Sequence, residues 1–357
     1  MKNKIYSLVI NPGSTSTKIA VFINQNVVIS QTIYHSNEEL KKYPNIISQT
    51  PFRKQIILQT LTENNINISK IDYFVGRGGL LRPLKSGTYL VNDQMIDDLV
   101  NERYGSHASN LGAIIAYDFA KQYKKLAFIV DPVVVDELSD IARISGLKEI
   151  KRRSIFHALN HKSIAKNYAK AIEKKYEELN LIIAHLGGGI SIGLHQKGKV
   201  IDVNDALGGE GPFSPERAGG LPVNQIVDMC FSGNYTKQEI MRKLIGDGGL
   251  VSYLGTNDGV KVRQMIYAGD KEANFYLEAM AYQIVKEIGG LYFAAKGEID
   301  AVILTGGSAH NEILIKTINE YLGHLVKVVI MPGENEMQAL VEGLFRVLNK
   351  EEEIMTY

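Results

Sequence analysis

The sequence predicts an α/β protein built from two related halves. Short apolar strands alternate with longer segments of helical periodicity, the signature of that class. The order strand, small-residue loop, strand, turn, strand occurs twice, about half a chain apart. At 357 residues the chain is also long enough for two domains, each with its own core.

In the first half, Ile5–Ile10 reads as a buried strand that breaks at Asn11–Thr17 (NPGSTST). Lys18–Ile23 resumes strand character, Asn24-Gln25-Asn26 is a turn signal, and Val27–Tyr34 is a third strand. In the middle of the chain Leu181–Leu186 is an apolar strand, Gly187-Gly188-Gly189 a loop and Ile190–His195 a strand. Gln196–Lys199 then turns into Val200–Val203. Helical spacing marks Gln94–Tyr104, Gly112–Lys124, Asn160–Leu179 and Asn274–Lys296. The clearest helix is C-terminal, with Met337, Leu340, Val341, Leu344, Phe345 and Leu348 along one stripe. Ala301–Leu304 is a strand ending in Thr305-Gly306-Gly307-Ser308, and Val326–Met331 another ending in Pro332-Gly333. Residues 1–155 are expected to form the first domain and 156–336 the second, with the helix over 337–357 packing back on the first.

Charge nearly cancels, with 40 Lys and Arg against 39 Asp and Glu. Electrostatics therefore offers no reason to propose nucleic acid or an anionic membrane as a partner. Cys230 is the one cysteine, so an intrachain disulfide and a Cys-based zinc site are excluded. Between Met229 and Phe231 it reads as a small core hydrophobe. The basic-then-apolar opening is cut at Asn11-Pro12-Gly13, so it reads as a strand rather than a secretory signal. No apolar run approaches the roughly 18 residues a membrane span requires, and a cytoplasmic location is expected.

Three glycine-bearing loops each follow a short apolar strand: Asn11–Thr17, Gly187–Gly189 and Gly306–Ser308. Glycine lets backbone N–H groups approach an anion closely, and Ser or Thr hydroxyls add donors. In the first loop Asn11, Ser14, Ser16 and Lys18 supply further polar groups. One such loop is usually only a turn; three after strands, two in matching settings, point to phosphate. GSTSTK lacks the second glycine of G-x-x-x-x-G-K-[ST] and leads into a strand, not a helix. GGGISIG departs likewise from G-x-G-x-x-G. The P-loop and dinucleotide-binding readings are thereby excluded.

These segments resemble the acetate kinase family of the acetate and sugar kinase/Hsp70/actin superfamily. LVINPGSTSTKIAVF is similar to N-x-G-S-S-S-x-K, FHALNHKSIA to F-H-G-x-S-H, and AHLGGGISI to the H-L-G-N-G loop. SPERAGG is similar to G-T-R-x-G, ILTGGSAHNE to G-G-x-x-x-N, and ENEMQALVEG to the closing N-E-E segment. They fall in the family's order from residue 5 to residue 343. VGRGGLL, HASNLGA, DPVVVDEL and GGEGPFSPERAGGLP depart from acetate kinase and resemble the butyrate kinase branch.

The resemblance implies a two-lobed, duplicated ribonuclease-H-like fold, with mixed sheets flanked by helices and an active-site cleft between lobes. It implies ATP/ADP and Mg²⁺ chemistry on a short-chain carboxylate or acyl phosphate, butyrate or isobutyrate being favoured. A homodimer or a multiple of it is also implied. A carboxylate is already ionised at neutral pH and needs no general base. What it needs is positive charge and alignment, which arginine supplies. Arg77 and Arg217 sit in glycine-rich, loop-like surroundings. Arg217 would stabilise the transferring phosphoryl and Arg77 would hold the carboxylate, with Arg82 as competitor. His157 would donate to the phosphoryl or leaving oxygen, or else be structural, with His161 sharing its helix face. The H-x-x-x-H pair lacks the Glu of a zinc helix. His107 is a second substrate-side candidate, and Asp131 would orient an arginine or the metal or serve a turn. Asn11 and Glu336 form the magnesium-side pair. His185 and Gly187–Gly189 fall on the phosphates; Gly306, Gly307, Ser308 and Asn311 fall on the adenosine side. Leu80, Leu81, Val133 and Val134 are candidate acyl-pocket walls, each equally readable as core. The alternatives are an acetate or propionate kinase, an ATP-gated binding protein of the Hsp70/actin kind, and a hydrolase of the same fold.

Overall fold

The structure, a computed structural model, describes residues 4–357. Its strands, in chain order, are β1 (Tyr6–Pro12), β2 (Ser16–Ile23), β3 (Asn26–Tyr34), β4 (Tyr73–Arg77), β5 (Thr88–Leu90) and β6 (Leu126–Val130). There follow β7 (Asn180–Leu186), β8 (Ile190–Gln196), β9 (Lys199–Val203), β10 (Ala301–Thr305), β11 (Val328–Ile330) and β12 (Ile354–Thr356). The chain divides into two compact units, one comprising residues up to Val135 together with Asn335–Tyr357, the other Asp136–Glu334.

The first unit holds the sheet β12-β5-β6-β4-β1-β2-β3 and the second holds β11-β10-β7-β8-β9. In the first, β1, β2 and β3 form an antiparallel meander, and β4 and then β6 add in parallel on the far side of β1. In the second, β7, β8 and β9 form the meander, and β10 and β11 add in parallel beyond β7. The repeated sequence pattern is thus a repeated topology, and each meander carries one register shift, at Val21/Phe22 and at Leu194/His195.

Period-2 alternation sends the side chains of the central strands to both faces. In the second unit Ile182, Ala184, Ile192 and Leu194 pack with Leu277, Met280, Ile284 and Ile288 of the helix Lys271–Ala294. On the opposite face Leu181 and Ile183 pack with Ile164, Ala165 and Tyr168 of the helix Ala158–Ala171. In the first unit the helix Glu336–Leu348 lies against β1, β4 and β6 through its apolar stripe.

Several expectations are corrected. The segment 136–155 belongs to the second unit, where it is tied to the sheet edge. The Ser139 N–H donates to Ile201 (2.9 Å), and the Arg152 guanidinium to Asp202 and to the Val203 carbonyl. The helix expected over Asn160–Leu179 ends at Ala171, because Glu173 turns left-handed (φ +56°), and a single tight turn follows at Tyr176–Glu178. Cys230 is exposed: the helix Val223–Phe231 has no buried residue, and Phe231 itself is 86% exposed. An apolar run makes a core position only where another element covers it. Among the described residues no helix is long and apolar enough to cross a membrane.

Candidate active site

In the first unit the loop after β1 is shorter than the sequence suggests. Asn11 and Pro12 extend β1, Ser16 and Thr17 begin β2, and Asn11 pairs with Lys18. Pro12 is tolerated because β4 pairs only as far as Ile10, so no ladder bond on that side asks for its missing N–H. The remaining turn, Gly13 to Thr15, is held from behind by Arg53 on the helix Thr50–Glu63. The buried Arg53 guanidinium donates to the carbonyls of Gly13 (2.9 Å), Ser14 (3.2 Å) and Ser16 (2.7 Å), to Thr17 Oγ1 (3.0 Å) and to Gln49 Oε1. Burial pulls its pKa down to about 10, a cost these acceptors offset. Sequence reading missed Arg53, since an arginine within FRKQIILQTL reads as a solvated helix charge.

Arg77 does not lie in a loop; it is the last residue of β4. Its neighbour Gly76 allows close packing, because a β-carbon there would collide with the Gly112 backbone in the helix Asn110–Tyr123. The Arg77 guanidinium is buried and forms an ion pair through Nη1 with Glu336 Oε1, while its Nε has no hydrogen-bond partner among the described residues. Asn11 Nδ2 donates to the other carboxylate oxygen, Glu336 Oε2, at 2.5 Å. Glu336 opens the C-terminal helix, where the helix dipole favours a negative charge. The end of β1, the end of β4 and the start of the last helix thus bring Asn11, Arg77 and Glu336 into contact.

The other first-unit candidates are placed differently. Arg82 is exposed and lies over the Tyr357 ring, 4.2 Å from its centroid. Leu80, Leu81 and Val134 are buried and Val133 is half-buried, with the Leu80 N–H donating to Asn110 Oδ1 (2.8 Å). His107 is exposed, its Nδ1 2.8 Å from Ser109 Oγ. Asp131 is buried at a left-handed position (φ +38°). Its Oδ1 accepts from Ser86 Oγ (2.6 Å) and the Gly87 N–H (2.8 Å) rather than from an arginine. Ser14 is exposed, and Ser16 and Lys18 are half-buried on β2.

In the second unit the Gly187–Gly189 loop joins β7 to β8, with Leu186 and Ile190 as the last pair. Gly189 makes room for Arg217: a β-carbon there would fall within the guanidinium as it is placed. Arg217 Nη1 donates to the Ala206 carbonyl, and its Nε has no hydrogen-bond partner among the described residues. Burial lowers the Arg217 pKa, with Glu216 and Asp205 opposing that shift. The backbone of Arg217 bridges Ile245, so it too is less of a loop residue than its glycine neighbours suggest.

His157 sits at the N-cap of the helix Ala158–Ala171 and stacks on His185 at the end of β7, their centroids 3.8 Å apart. His185 has Nδ1 2.8 Å from Asn160 Oδ1 and Nε2 3.1 Å from Glu334 Oε1. The unit therefore gathers His157, His185, Gly187–Gly189 and Arg217. Gly306 approaches the same loop, since a β-carbon on it would lie 2.5 Å from the Leu186 carbonyl oxygen. Beyond it, Gly307, Ser308 and Asn311 help line a cavity of about 180 Å³ with Asp258, Arg263 and Leu277. Asn311 also caps the helix Glu312–Leu322, its Oδ1 accepting from the N–H groups of Ile313 and Leu314.

Sequence reading also missed Ser191, His195 and Tyr176. Ser191 Oγ lies 2.8 Å from His157 Nδ1 and 2.9 Å from His161 Nε2. His161 Nδ1 is 3.2 Å from His195 Nε2, and His195 Nδ1 is 2.6 Å from the Tyr176 hydroxyl. A signal was present: period 2 puts Ser191, Gly193 and His195 on one face of β8, and the helical period puts His157 and His161 on one face of the facing helix.

Among the described residues no three His, Cys, Asp or Glu side chains group so as to hold a metal ion. The donor set at Asn11 and Glu336 is one amide and one carboxylate in contact with each other, the carboxylate also pairing with Arg77. That set fits a Mg²⁺ ion that keeps most of its water and leans on substrate phosphates, and does not make an all-protein cage.

Residues 122–348 match the model of the acetokinase family. Three solved structures are similar over nearly their whole lengths. Porphyromonas gingivalis acetate kinase is 16% identical with a TM-score of 0.77, covering 96% of this chain and 99% of its own. A propionate kinase from Francisella tularensis is 19% identical with a TM-score of 0.75, covering 95% and 98%. Acetate kinase from Entamoeba histolytica is 18% identical with a TM-score of 0.75, covering 98% and 99%. This chain therefore has the duplicated α/β fold of the actin/Hsp70/acetate kinase type.

Proposed function

We propose that this chain, which belongs to the acetokinase family and so transfers phosphate to a carboxyl group, acts on butyrate or its branched isomer, giving acyl phosphate and ADP reversibly. The observation that carries the reading is Arg77. A buried guanidinium already holds one carboxylate, that of Glu336, and keeps an Nε with no hydrogen-bond partner among the described residues. Such a group recognises a second carboxylate through its planar fork.

In this reading Arg77 holds the acid and Arg217 offsets the charge on the transferring phosphoryl oxygens. Phosphoryl transfer is catalysed chiefly by such positioning and electrostatics. His157 donates a hydrogen bond to the phosphoryl or leaving oxygen, backbone N–H groups of Gly187–Gly189 cradle phosphates, and Gly306, Gly307 and Ser308 face the adenosine. His185 orients the loop that it precedes. Ser14, Ser16 and Lys18 add donors, and Asp131 acts through the Ser86–Gly87 turn it tethers. Asn11 and Glu336 would hold hydrated Mg²⁺, which supplies charge neutralisation on the phosphates when bound. Leu80, Leu81 and His107 belong to the acyl side.

The four-carbon preference rests on the segments around Arg77 and Asp131, whose sequences differ from acetate kinase. Acetate or propionate is the competing acid. An ATP-dependent hydroxylamine trap over straight and branched acids of two to five carbons tests both levels. Acyl hydroxamate with peak turnover on butyrate or isobutyrate is expected. A peak on acetate would refute the chain-length preference, and no hydroxamate from any acid would refute the activity.

A further inference from the structure

The hydrogen-bonded series Tyr176, His195, His161, Ser191, His157 is contained within the second unit and runs from its core to the candidate catalytic histidine. Every spacing is within hydrogen-bond range, from 2.6 to 3.2 Å. We infer that Tyr176, His195, His161 and Ser191 form a one-directional donor chain that holds His157 in the neutral tautomer bearing its proton on Nε2. The role given to His157 under the proposed function is the premise of this inference.

The direction follows from counting protons. Ser191 is fully buried, and its hydroxyl touches two imidazole nitrogens but has one proton. With one proton and two lone pairs it can donate to only one of the rings, so once one ring donates to it the proton is available to the other. A neutral imidazole likewise carries one donor and one acceptor nitrogen, so the sense set at one end propagates to the other. The inner end is Tyr176, buried at 4% exposure, with the Lys162 ammonium 5.4 Å from its ring centroid. A phenol is a stronger donor than acceptor, an imidazole nitrogen is a good acceptor, and a nearby cation strengthens the O–H dipole as a donor. Tyr176 O–H therefore donates to His195 Nδ1. His195 Nε2–H then donates to His161 Nδ1, His161 Nε2–H to Ser191 Oγ, and Ser191 O–H to His157 Nδ1. His157 is left with its proton on Nε2, the form needed to donate to an oxygen without being an imidazolium.

The surroundings keep the inner rings neutral, as the scheme requires. His161 and His195 are fully buried, and desolvation holds both well below the usual histidine pKa, aided by neighbouring His185 or His161 and by Lys162. Gly193 lets the His161 ring lie against β8, since its β-carbon position would be 3.3 Å from His161 Nδ1. Lys162 is itself fixed by Glu137 (2.6 Å) and the Gly198 carbonyl (2.9 Å). Tyr176, His195, His161 and Ser191 are positioning residues: they act through His157.

Long-range ¹H–¹⁵N correlation spectra of the full chain labelled at the histidine ring nitrogens test the chain, with His→Gln variants used for assignment. The expected result is His157, His161 and His195 all protonated at Nε2 alone. Tyr176→Phe should mix the His157 tautomers and lower kcat about 10- to 100-fold, the usual cost of losing an orienting partner, with KM for acid and ATP unchanged. Ser191→Ala, a smaller change, should give the same signature if Tyr176→Phe folds poorly by thermal melting. A wild-type His157 protonated at Nδ1 would overturn the inference. Folded variants that leave the His157 tautomer and kcat unaltered would overturn it as well. The spectra need no turnover, so a chain that makes no acyl phosphate would refute the function while leaving the tautomer result to be judged alone.

Discussion

The Arg217 guanidinium lies against the Gly189 backbone so closely that no side chain fits between them. The colliding atoms are at the far end of a flexible side chain, so the arginine can swing away at little cost to the fold. Gly189→Ala should therefore leave the thermal midpoint within a few degrees of wild type. It should lower kcat by about 100-fold or more, because displacing a transition-state charge by about 1 Å is that costly. Melting curves with initial rates check this; a variant with normal kcat would detach Arg217 from the chemistry.

Arg77 and Glu336 are 259 residues apart in sequence and paired in the first unit. Arg77→Ala should reduce kcat/KM for the acid by about 100-fold or more, the cost of truncating a buried charge partner, and leave nucleotide binding near normal. Glu336→Gln keeps the shape and removes the charge, so it should weaken the Mg²⁺ dependence of the rate more than the affinity for the acid. Steady-state kinetics varying acid, ATP and Mg²⁺ in turn separate the two.

Arg53 holds three carbonyls of the first turn. Arg53→Met would leave the Gly13, Ser14 and Ser16 carbonyls without that donor and should destabilise the chain by about 3–5 kcal/mol. The urea midpoint reports it, with KM for ATP expected to rise as the turn loosens.

Acid sensitivity follows from the buried histidines. The folded pKa values of His161 and His195 are depressed by burial, and that of His35 by burial and Arg53. Below about pH 6.5 the unfolded chain takes up protons that the folded chain refuses. Stability is thus fully present above that pH and falls as pH drops. Each fully depressed ring contributes about 1.4 kcal/mol per pH unit in that window. Urea midpoints between pH 7.5 and 5.5 should decline, and His195→Gln should flatten the slope by one ring's share.

The three-strand meanders and glycine loops were legible because a strand announces itself every second residue and a loop by its Gly, Ser and Asn content. Arg77 and Glu336 stood out in the sequence as separate candidates but not as a pair, because contact over such separations leaves no local trace. Arg53 was hidden for the opposite reason: its neighbours are ordinary helix residues, and only the turn packed on it shows what it serves. Cys230 looked like core and is exposed, since apolar character records a preference for burial and not whether a covering element exists.

The repeated strand-loop-strand pattern is the best example of what sequence alone determined here. Strand and helix periods, the repeated half and the residue types at each loop depend on neighbours along the chain, so they can be read from it. The tertiary structure decided which partner each buried polar group meets: Glu336 for Arg77, Gly189 for Arg217, and Ser191 for both His157 and His161. Most buried donors and acceptors are satisfied by whatever the fold brings within about 3 Å, and that is a property of folded space rather than of sequence order.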